Sequence, residues 1–325
     1  MTPVRHLNDL QRPSPPPGGV QAKRLIGIDD LSLEEIVYVL DLTDYYAAFL
    51  DAGAPAPARL SGKTQINLFF EDSTRTNLSF ELAGKKLGAD IVNVPVAASS
   101  VHKGESLVDT AETLAAMGAD VMIVRAKEPG LHETLDERLS CTIVNGGDGV
   151  REHPTQALLD AATIRGAVGD LSGKTIAICG DIKHSRVAGS DAKLFERLGA
   201  EVRFVGPAEL LPEDGPFARF PAFTTLSEGL ADADIVMALR MQFERMGENG
   251  RDVAKGYFER FGLTHETIAC AKPDARVMHP GPMNRGIEID GALADDTARS
   301  LILRQVFNGV AARMAALDML LTGDK

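Results

Sequence analysis

The chain has 325 residues, about twice the length of one ordinary domain, so two cores are expected. Its apolar fraction of 44% is that of a globular protein, and no apolar run reaches the roughly 20 residues of a membrane helix. The net charge of −12 argues against a general nucleic-acid binder, while leaving room for a locally cationic site. The first residues, Met1 to Asp9, lack the apolar core of a signal peptide. Three cysteines, Cys141, Cys179 and Cys270, stand far apart without Cys-x-x-Cys spacing. They read as buried free thiols of a reducing cytosol. No histidine pair has His-x-x-x-His spacing, so no structural metal is expected, and no cofactor is expected.

In chain order, residues 1–22 read as a mobile tail, because Pro13-Ser14-Pro15-Pro16-Pro17-Gly18-Gly19 suits neither helix nor inner strand. Ser32 and Glu35 have capping-box spacing and open a helix running to about Leu50. Leu60-Ser61-Gly62-Lys63-Thr64 precedes an apolar strand, Ile66 to Phe70. The same five residues recur as Leu171-Ser172-Gly173-Lys174-Thr175 before another strand, Ile176 to Cys179. Neither is a nucleotide P-loop, since the glycine required five positions earlier is Pro57 or Val168, and the strand follows where it should precede. Each reads as the turn into the first strand of one α/β half.

Strand-like runs then alternate with helix-like ones. The first half has Ile91 to Val94, a helix around Leu107 to Met117, Val121 to Val124, and Thr142 to Val144. The second has Ile176 to Cys179, a helix around Ala188 to Leu198, Val202 to Val205, Ile235 to Leu239, and Arg276 to Met278. This alternation predicts an α/β protein of two similar domains, each a parallel sheet flanked by helices. A long last helix is expected over 296–321.

The candidate binding residues fall after strands, where open α/β sheets bind ligands. Ser73-Thr74-Arg75-Thr76 stands between the strand ending at Phe70 and a helix with apolar residues Leu78, Leu82 and Leu87. Backbone N–H groups and the positive helix end meet there, and three hydroxyls with a guanidinium form a phosphate cradle. A simple N-cap cluster would explain one hydroxyl, not three with an arginine among them. The loop Ala97 to Ser106, with Ser99 and Lys103, has the composition of a solvated surface loop. Arg125 ends a strand, and could face either a ligand crevice or solvent. His153 and Gln156 share one face of a helix start whose first residue is Pro154. Gly180-Asp181 lacks the further glycines of a dinucleotide fingerprint. Arg240 and Gln242, two apart in extended chain, face one side. In His279-Pro280-Gly281-Pro282 the prolines fix the backbone and leave carbonyls as acceptors.

These pieces together resemble the aspartate/ornithine carbamoyltransferase family. Ser-Thr-Arg-Thr after a strand and before Ser79-Phe80-Glu81 resembles its carbamoyl-phosphate motif, with Asn77 where the family usually has Arg. His153-Pro154-Thr155-Gln156 matches its His-Pro-x-Gln motif. Arg240-Met241-Gln242 and His279-Pro280-Gly281-Pro282 resemble the aspartate members; the ornithine members carry Ser-Met-Gly and His-Cys-Leu-Pro. The resemblance covers about 300 residues and leaves only the tail unexplained.

It implies carbamoyl transfer from carbamoyl phosphate to the amine of L-aspartate, an early step of pyrimidine synthesis, in the cytoplasm. A carbamoyl-phosphate domain would span 23–153 plus 296–325, the last helix returning to it, and an aspartate domain 154–295. Ser73, Thr74, Arg75 and Thr76 would hold the phosphate. Thr76, Arg125 and His153 would donate to the carbonyl oxygen. Gln156 and the carbonyls of Gly281 and Pro282 would hold the carbamoyl amide. Arg186, Arg240 and Gln242 would bind the aspartate carboxylates. The resemblance also places Ser99 and Lys103 in a neighbouring subunit's site within a homotrimer, which leaves room for regulatory or dihydroorotase-type partner chains. Neither nucleic acid nor membrane is implied as a partner. The competing readings are ornithine carbamoyltransferase, a non-catalytic scaffold homologue, and a nucleotide-binding module. A scaffold is expected to have lost Arg75, Arg125 or His153, and all three are present.

Overall fold

A computed structural model describes residues 7, 10–94, 104–242 and 256–322. Ser99 and Lys103 lie outside the described residues. The chain divides into two compact units, Met1–Ala162 with Phe307–Lys325, and Thr163–Val306. Both boundaries fall inside continuous helices rather than in loops, which places them several residues from the expected 153/154 and 295/296.

Unit 1 is built on a four-stranded, all-parallel sheet in the order β2-β1-β3-β4. Its strands are β1 (Thr64–Phe69), β2 (Asp90–Val94), β3 (Val121–Ala126) and β4 (Thr142–Asp148). Its helices are α1 (Leu33–Asp51), α2 (Thr74–Lys86), α3 (Leu107–Ala115), α4 (Leu131–Arg138) and α5 (Pro154–Val168), the last continuing into unit 2. The inner strands are buried on both faces: in β1, Ile66 and Leu68 alternate with the buried polar Gln65 and Asn67, and Ile66, Leu68, Met122, Val124 and Ile143 form a core with Leu131 and Leu135 of α4. That two-sided burial is what a parallel sheet covered by helices requires.

Unit 2 has a five-stranded parallel sheet, β7-β6-β5-β8-β9. The strands are β5 (Thr175–Cys179), β6 (Glu201–Val205), β7 (Ala222–Phe223), β8 (Ile235–Ala238) and β9 (Arg276–Met278). The helices are α6 (Arg186–Arg197), α7 (Leu226–Gly229), α8 (Tyr257–Phe261) and α9 (Gly291–Ala294). A last helix, α10 (Ile302–Leu321), begins in unit 2 and ends in unit 1. It starts six residues later than its apolar pattern suggests. The backbone before it is bonded elsewhere: Val277 N–H donates to Arg299 O, and Leu301 N–H to Val277 O.

The repeated pentapeptide has one structural role in both units. Thr64 and Thr175 each open the central strand, and their N–H groups donate to Asp120 and Asp234, both 2.9 Å away. Each aspartate directly precedes the neighbouring inner strand, β3 or β8. Lys63 Nζ lies 2.8 Å from Asp120, and Lys174 Nζ 3.9 Å from Asp234.

Residues 10–22 correct the expectation of a mobile tail. Arg12 pairs with Asp318 of α10 at 2.9 Å, Val20 is buried, and the N–H groups of Gln21 and Ala22 donate to Glu35 at 2.7 and 2.9 Å. Proline sets this segment's conformation without freeing it. Glu35 also completes the capping box, accepting from Ser32 N–H at 2.8 Å while Ser32 Oγ accepts from Glu35 N–H at 3.1 Å. Burial works to raise the Glu35 pKa, but the N–H donors of Ser32, Ala22 and Gln21 outweigh it and hold the group below the usual glutamate value. A depressed folded pKa contributes stability above about pH 4.3 that is lost as pH falls through the folded value. Glu35→Ala strands three N–H donors and is expected to destabilise the protein by about 2–3 kcal/mol in urea titration at pH 7. A change below about 0.5 kcal/mol would mean that water replaces the carboxylate without loss.

Among the described residues, no helix is long and apolar enough to cross a membrane, and no cluster of three potential metal ligands occurs.

Candidate active site

In each sheet the chain reverses its order of strand addition beside the central strand: between β1 and β3 in unit 1, and between β5 and β8 in unit 2. Such switch points open a crevice at the carboxyl ends of the strands. Ser73 to Thr76, Arg125, Arg186, Arg240 and Gln242 lie at these two places, while His153 and Gln156 follow the edge strand β4 and His279 to Pro282 the edge strand β9.

In unit 1, β1 ends at Phe69 and α2 begins at Thr74 with Ser73 as its N-cap. The Ser73 side chain makes no capping hydrogen bond, so its hydroxyl is not occupied in closing its own helix. Thr76 is buried and Arg75 exposed. Arg125 stands directly across from Phe69 in the β1–β3 register. A register shift between Val124 and Ala126 interrupts pairing with β4 at this residue, and such irregularities re-aim a side chain. The guanidinium is held from two sides: Nε lies 3.1 Å from Glu71 Oε2, and Nη1 donates to Gly146 O at 3.1 Å. Buried His132 donates from Nε2 to Val124 O at 2.9 Å and so ties down the backbone just before Arg125.

His153 and Gln156 are both buried at the start of α5. Asn145 shapes the approach to them, its Nδ2 donating to Ile26 O at 2.7 Å and its Oδ1 accepting from Gly147 N–H at 2.6 Å. Gln156 Nε2 donates to Asp160 Oδ2 at 3.0 Å, one helical turn on. Unit 1 thus gathers Ser73 to Thr76, Arg125, His153 and Gln156 around the ends of β1, β3 and β4.

In unit 2, Asp181 follows β5 and is fully buried. Its Oδ1 accepts from His184 Nδ1 at 2.7 Å and its Oδ2 from Gln242 N–H at 3.4 Å. Burial raises the Asp181 pKa, and the His184 hydrogen bond opposes that rise. Gln242 Nε2 donates to His184 O at 3.0 Å, so the loops after β5 and β8 are laced together through Asp181 and His184. Arg186 is the first residue of α6, buried, behind the N-cap Ser185, whose Oγ accepts from Ala188 N–H at 3.2 Å. Arg240 and Gln242 follow β8.

The loop after β9 is fixed by a buried carboxylate. Gly281 N–H donates to His279 Nδ1 at 2.8 Å, which leaves the proton of the neutral ring on Nε2, donating to Glu288 Oε1 at 3.1 Å. His279 N–H donates to Gln305 Oε1 at 2.8 Å. Gly281 has φ +67°, and its bond to Pro282 is cis.

Glu71, Asn145, Asp160, Asp181 and Glu288 were not singled out from sequence. Each is one polar residue whose partner is set by the fold, although Asp160 and Asp181 lie inside or beside motifs already noted.

Two family models match in tandem. Residues 23–166 match the aspartate/ornithine carbamoyltransferase carbamoyl-P binding domain, and residues 172–320 the Asp/Orn binding domain. The chain belongs to the aspartate/ornithine carbamoyltransferase family. The aspartate carbamoyltransferase catalytic subunit of Acidiphilium cryptum is 52% identical over 298 residues, covering 92% of this chain and 96% of that protein. Aspartate transcarbamoylase from Trypanosoma cruzi, solved in complex with carbamoyl phosphate and aspartate, has a TM-score of 0.85 and 31% identity, covering 96% of this chain and 100% of its own. Ornithine carbamoyltransferase from Pyrococcus furiosus has a TM-score of 0.83 and 27% identity, covering 94% and 99%. Both branches of the family share the fold, so acceptor choice rests on individual residues.

Proposed function

We propose that the chain is an aspartate carbamoyltransferase catalytic chain, making N-carbamoyl-L-aspartate and phosphate for pyrimidine synthesis. The observation that carries the reading is the 52% identity with a named catalytic subunit over nearly the whole length of both proteins. The Arg240-Met241-Gln242 triplet after β8 agrees with it in acceptor type.

The residues divide the work by charge. Ser73, Thr74, Arg75 and Thr76 would bind the phosphate at the N-terminus of α2, where free N–H groups and the helix dipole favour an anion. The α-amine of aspartate attacks the carbamoyl carbon, and the C–O bond to phosphate breaks after a tetrahedral intermediate. Thr76, Arg125 and His153 would donate to the oxygen that gains charge; one such donor is worth about 3 kcal/mol. Gln156 and the Gly281 and Pro282 carbonyls would hold the carbamoyl NH2. Arg186, Arg240 and Gln242 would bind the two carboxylates of aspartate, with Lys103 adding a further cation. Holding both reactants in one geometry supplies much of the remaining acceleration.

The assembly reading follows the family resemblance: a cytoplasmic homotrimer in which Ser99 and Lys103 serve a neighbouring subunit's site. The net charge of −12 and the ordinary composition are compatible with that setting.

The experiment is an acceptor assay with carbamoyl phosphate and either aspartate or ornithine. Aspartate is the expected acceptor, and Arg240→Ala is expected to raise its KM about a hundredfold while changing the KM for carbamoyl phosphate little. Faster turnover of ornithine by the native chain would overturn the assignment.

A further inference from the structure

After β9 the chain reads His279-Pro280-Gly281-Pro282. Proline has no N–H, so residues 280–282 carry three carbonyls and a single main-chain donor, that of Gly281. The rings of Pro280 and Pro282 fix their own φ, whereas Gly281, at φ +67°, has the widest freedom to turn. Whatever holds the Gly281 N–H therefore decides how the carbonyls of this loop are presented.

The holder is the buried ring of His279, whose Nδ1 lies 2.8 Å from the Gly281 nitrogen. An N–H can only donate, so Nδ1 must be the bare nitrogen of the ring. A proton there would set donor against donor. The ring keeps its proton on Nε2 because an acceptor stands at that edge, Glu288 Oε1 at 3.1 Å. The same oxygen accepts from Asn284 N–H. Glu288 is buried, and its main chain is held without help from the side chain: its carbonyl accepts from Leu263 N–H at 3.1 Å, and Asp290 N–H donates to Leu263 O at 2.8 Å. The other carboxylate oxygen, Oε2, has no hydrogen-bond partner among the described residues. One oxygen on a fixed segment thus sets the ring, and the ring sets the loop.

We propose that Glu288 and His279 are positioning residues for recognition of the carbamoyl NH2: Glu288 fixes the His279 tautomer, His279 holds Gly281, and the loop carbonyls are kept as preorganised acceptors. The proposal rests on the carbamoyltransferase reading and deepens it. Neither residue touches substrate. A carbonyl can only accept, so the loop favours a group that donates. The NH2 of a carbamoyl phosphate has two hydrogens to place, and the methyl of an acetyl phosphate has none. On this reading Gln156 takes one hydrogen and the loop the other, and the pair Glu288–His279 governs the second contact alone.

The test compares two stable phosphonates in titration calorimetry, phosphonoacetamide and acetonylphosphonate, which differ only in NH2 against CH3. The native chain is expected to prefer the amide by about a hundredfold, about tenfold for each of two well-placed hydrogen bonds. Glu288→Leu strands the His279 Nε2–H and the Asn284 N–H, so nothing keeps the ring proton off Nδ1. This variant is expected to lose about tenfold of the preference, with its acetonylphosphonate affinity within about threefold of native. Glu288→Gln keeps an oxygen for both donors and places its NH2 where Oε2 had no partner to lose, so its preference is expected to stay within about threefold of native. If Glu288→Leu does not fold, the double variant E288L/H279F, which removes the ring donor together with its acceptor, supplies the measurement, with the same loss expected. Equal weakening of both phosphonates, an unchanged preference in the leucine variant, or a glutamine variant as impaired as the leucine one would overturn the positioning role and leave the carbamoyltransferase reading standing. A native chain with no preference for the amide would overturn that reading, and the proposal with it.

Discussion

Asp318→Ala is expected to destabilise the protein by about 3–5 kcal/mol, the largest stability loss of any single substitution considered. The Asp318 carboxylate has no exposed surface and serves three partners. Oδ2 takes Arg12 Nη2 at 2.9 Å and Tyr46 Oη at 2.6 Å, and Oδ1 takes Arg59 Nε at 3.1 Å. These partners come from the N-terminal segment, from α1 and from the loop before β1, so one carboxylate on the last helix ties together three stretches that are distant in sequence. Burial, followed by the Asp318 charge, pushes the Tyr46 pKa well above the usual tyrosine value, so the phenol stays protonated and donates. Removing the carboxylate leaves the buried Tyr46 hydroxyl without this acceptor and takes one negative partner from both Arg12 and Arg59. The midpoint of thermal unfolding is expected to fall by about 10 °C. Asp318→Asn, which keeps an acceptor for Tyr46 but not the charge, is expected to fall between alanine and native. Limited proteolysis gives a second reading, since cleavage ahead of Leu25 should accelerate once Arg12 is released. A melting temperature within 2 °C of native for the alanine variant would show the cluster to be a solvated contact of little weight.

That cluster also shows where sequence reading reaches its limit. The sheets were legible because the inner strands are short runs rich in apolar residues and bounded by turns, even though Gln65 and Asn67 interrupt β1 and Arg203 interrupts β6. The repeated Leu-Ser-Gly-Lys-Thr announced two comparable halves, and each copy does open a central strand. The junction proposed to hold phosphate was legible for the same reason of contiguity: Ser73 to Thr76 lie together between a strand and a helix. Asp318, Asp160 and Glu288 carry no such local pattern. A single aspartate on an apolar helix looks alike whether it meets solvent or two arginines, and its partners here lie up to 306 positions away. Helix α4 went unnoticed because only Leu131, His132 and Leu135 of its eight residues are buried, too few to set a period. β7 has two residues and no pattern at all. The tail was misread because proline content reports backbone preference, whereas Arg12, Val20 and the Gln21 and Ala22 amides find their partners in the folded structure.

Arg125→Ala is expected to lower kcat by about 10²–10³-fold, the largest loss of activity anticipated here. The argument begins with how firmly the side chain is held. Arg125 sits at an irregularity of β3, paired to Glu71 on one edge and to the Gly146 carbonyl on another. A donor fixed in this way does not have to reorganise when negative charge develops beside it, and such preorganised donors stabilise a transition state more than a ground state. The loss should therefore appear mainly in kcat, with the KM for aspartate within about threefold of native. Arg125→Lys keeps the charge but cannot serve Glu71, Gly146 and substrate from one planar fork, so a loss of about tenfold is expected. Glu71→Gln tests the holding contact alone: the guanidinium remains, its ion pair with Glu71 is weakened, and a smaller fall in kcat than for Arg125→Lys is expected. Steady-state rates at saturating carbamoyl phosphate measure all three, with thermal unfolding run alongside, because Arg125→Ala leaves the largely buried Glu71 without this partner. If the alanine variant keeps kcat within threefold and shows only a raised KM for carbamoyl phosphate, Arg125 binds substrate and transition state alike, and the oxyanion must be stabilised by Thr76 and His153 without it.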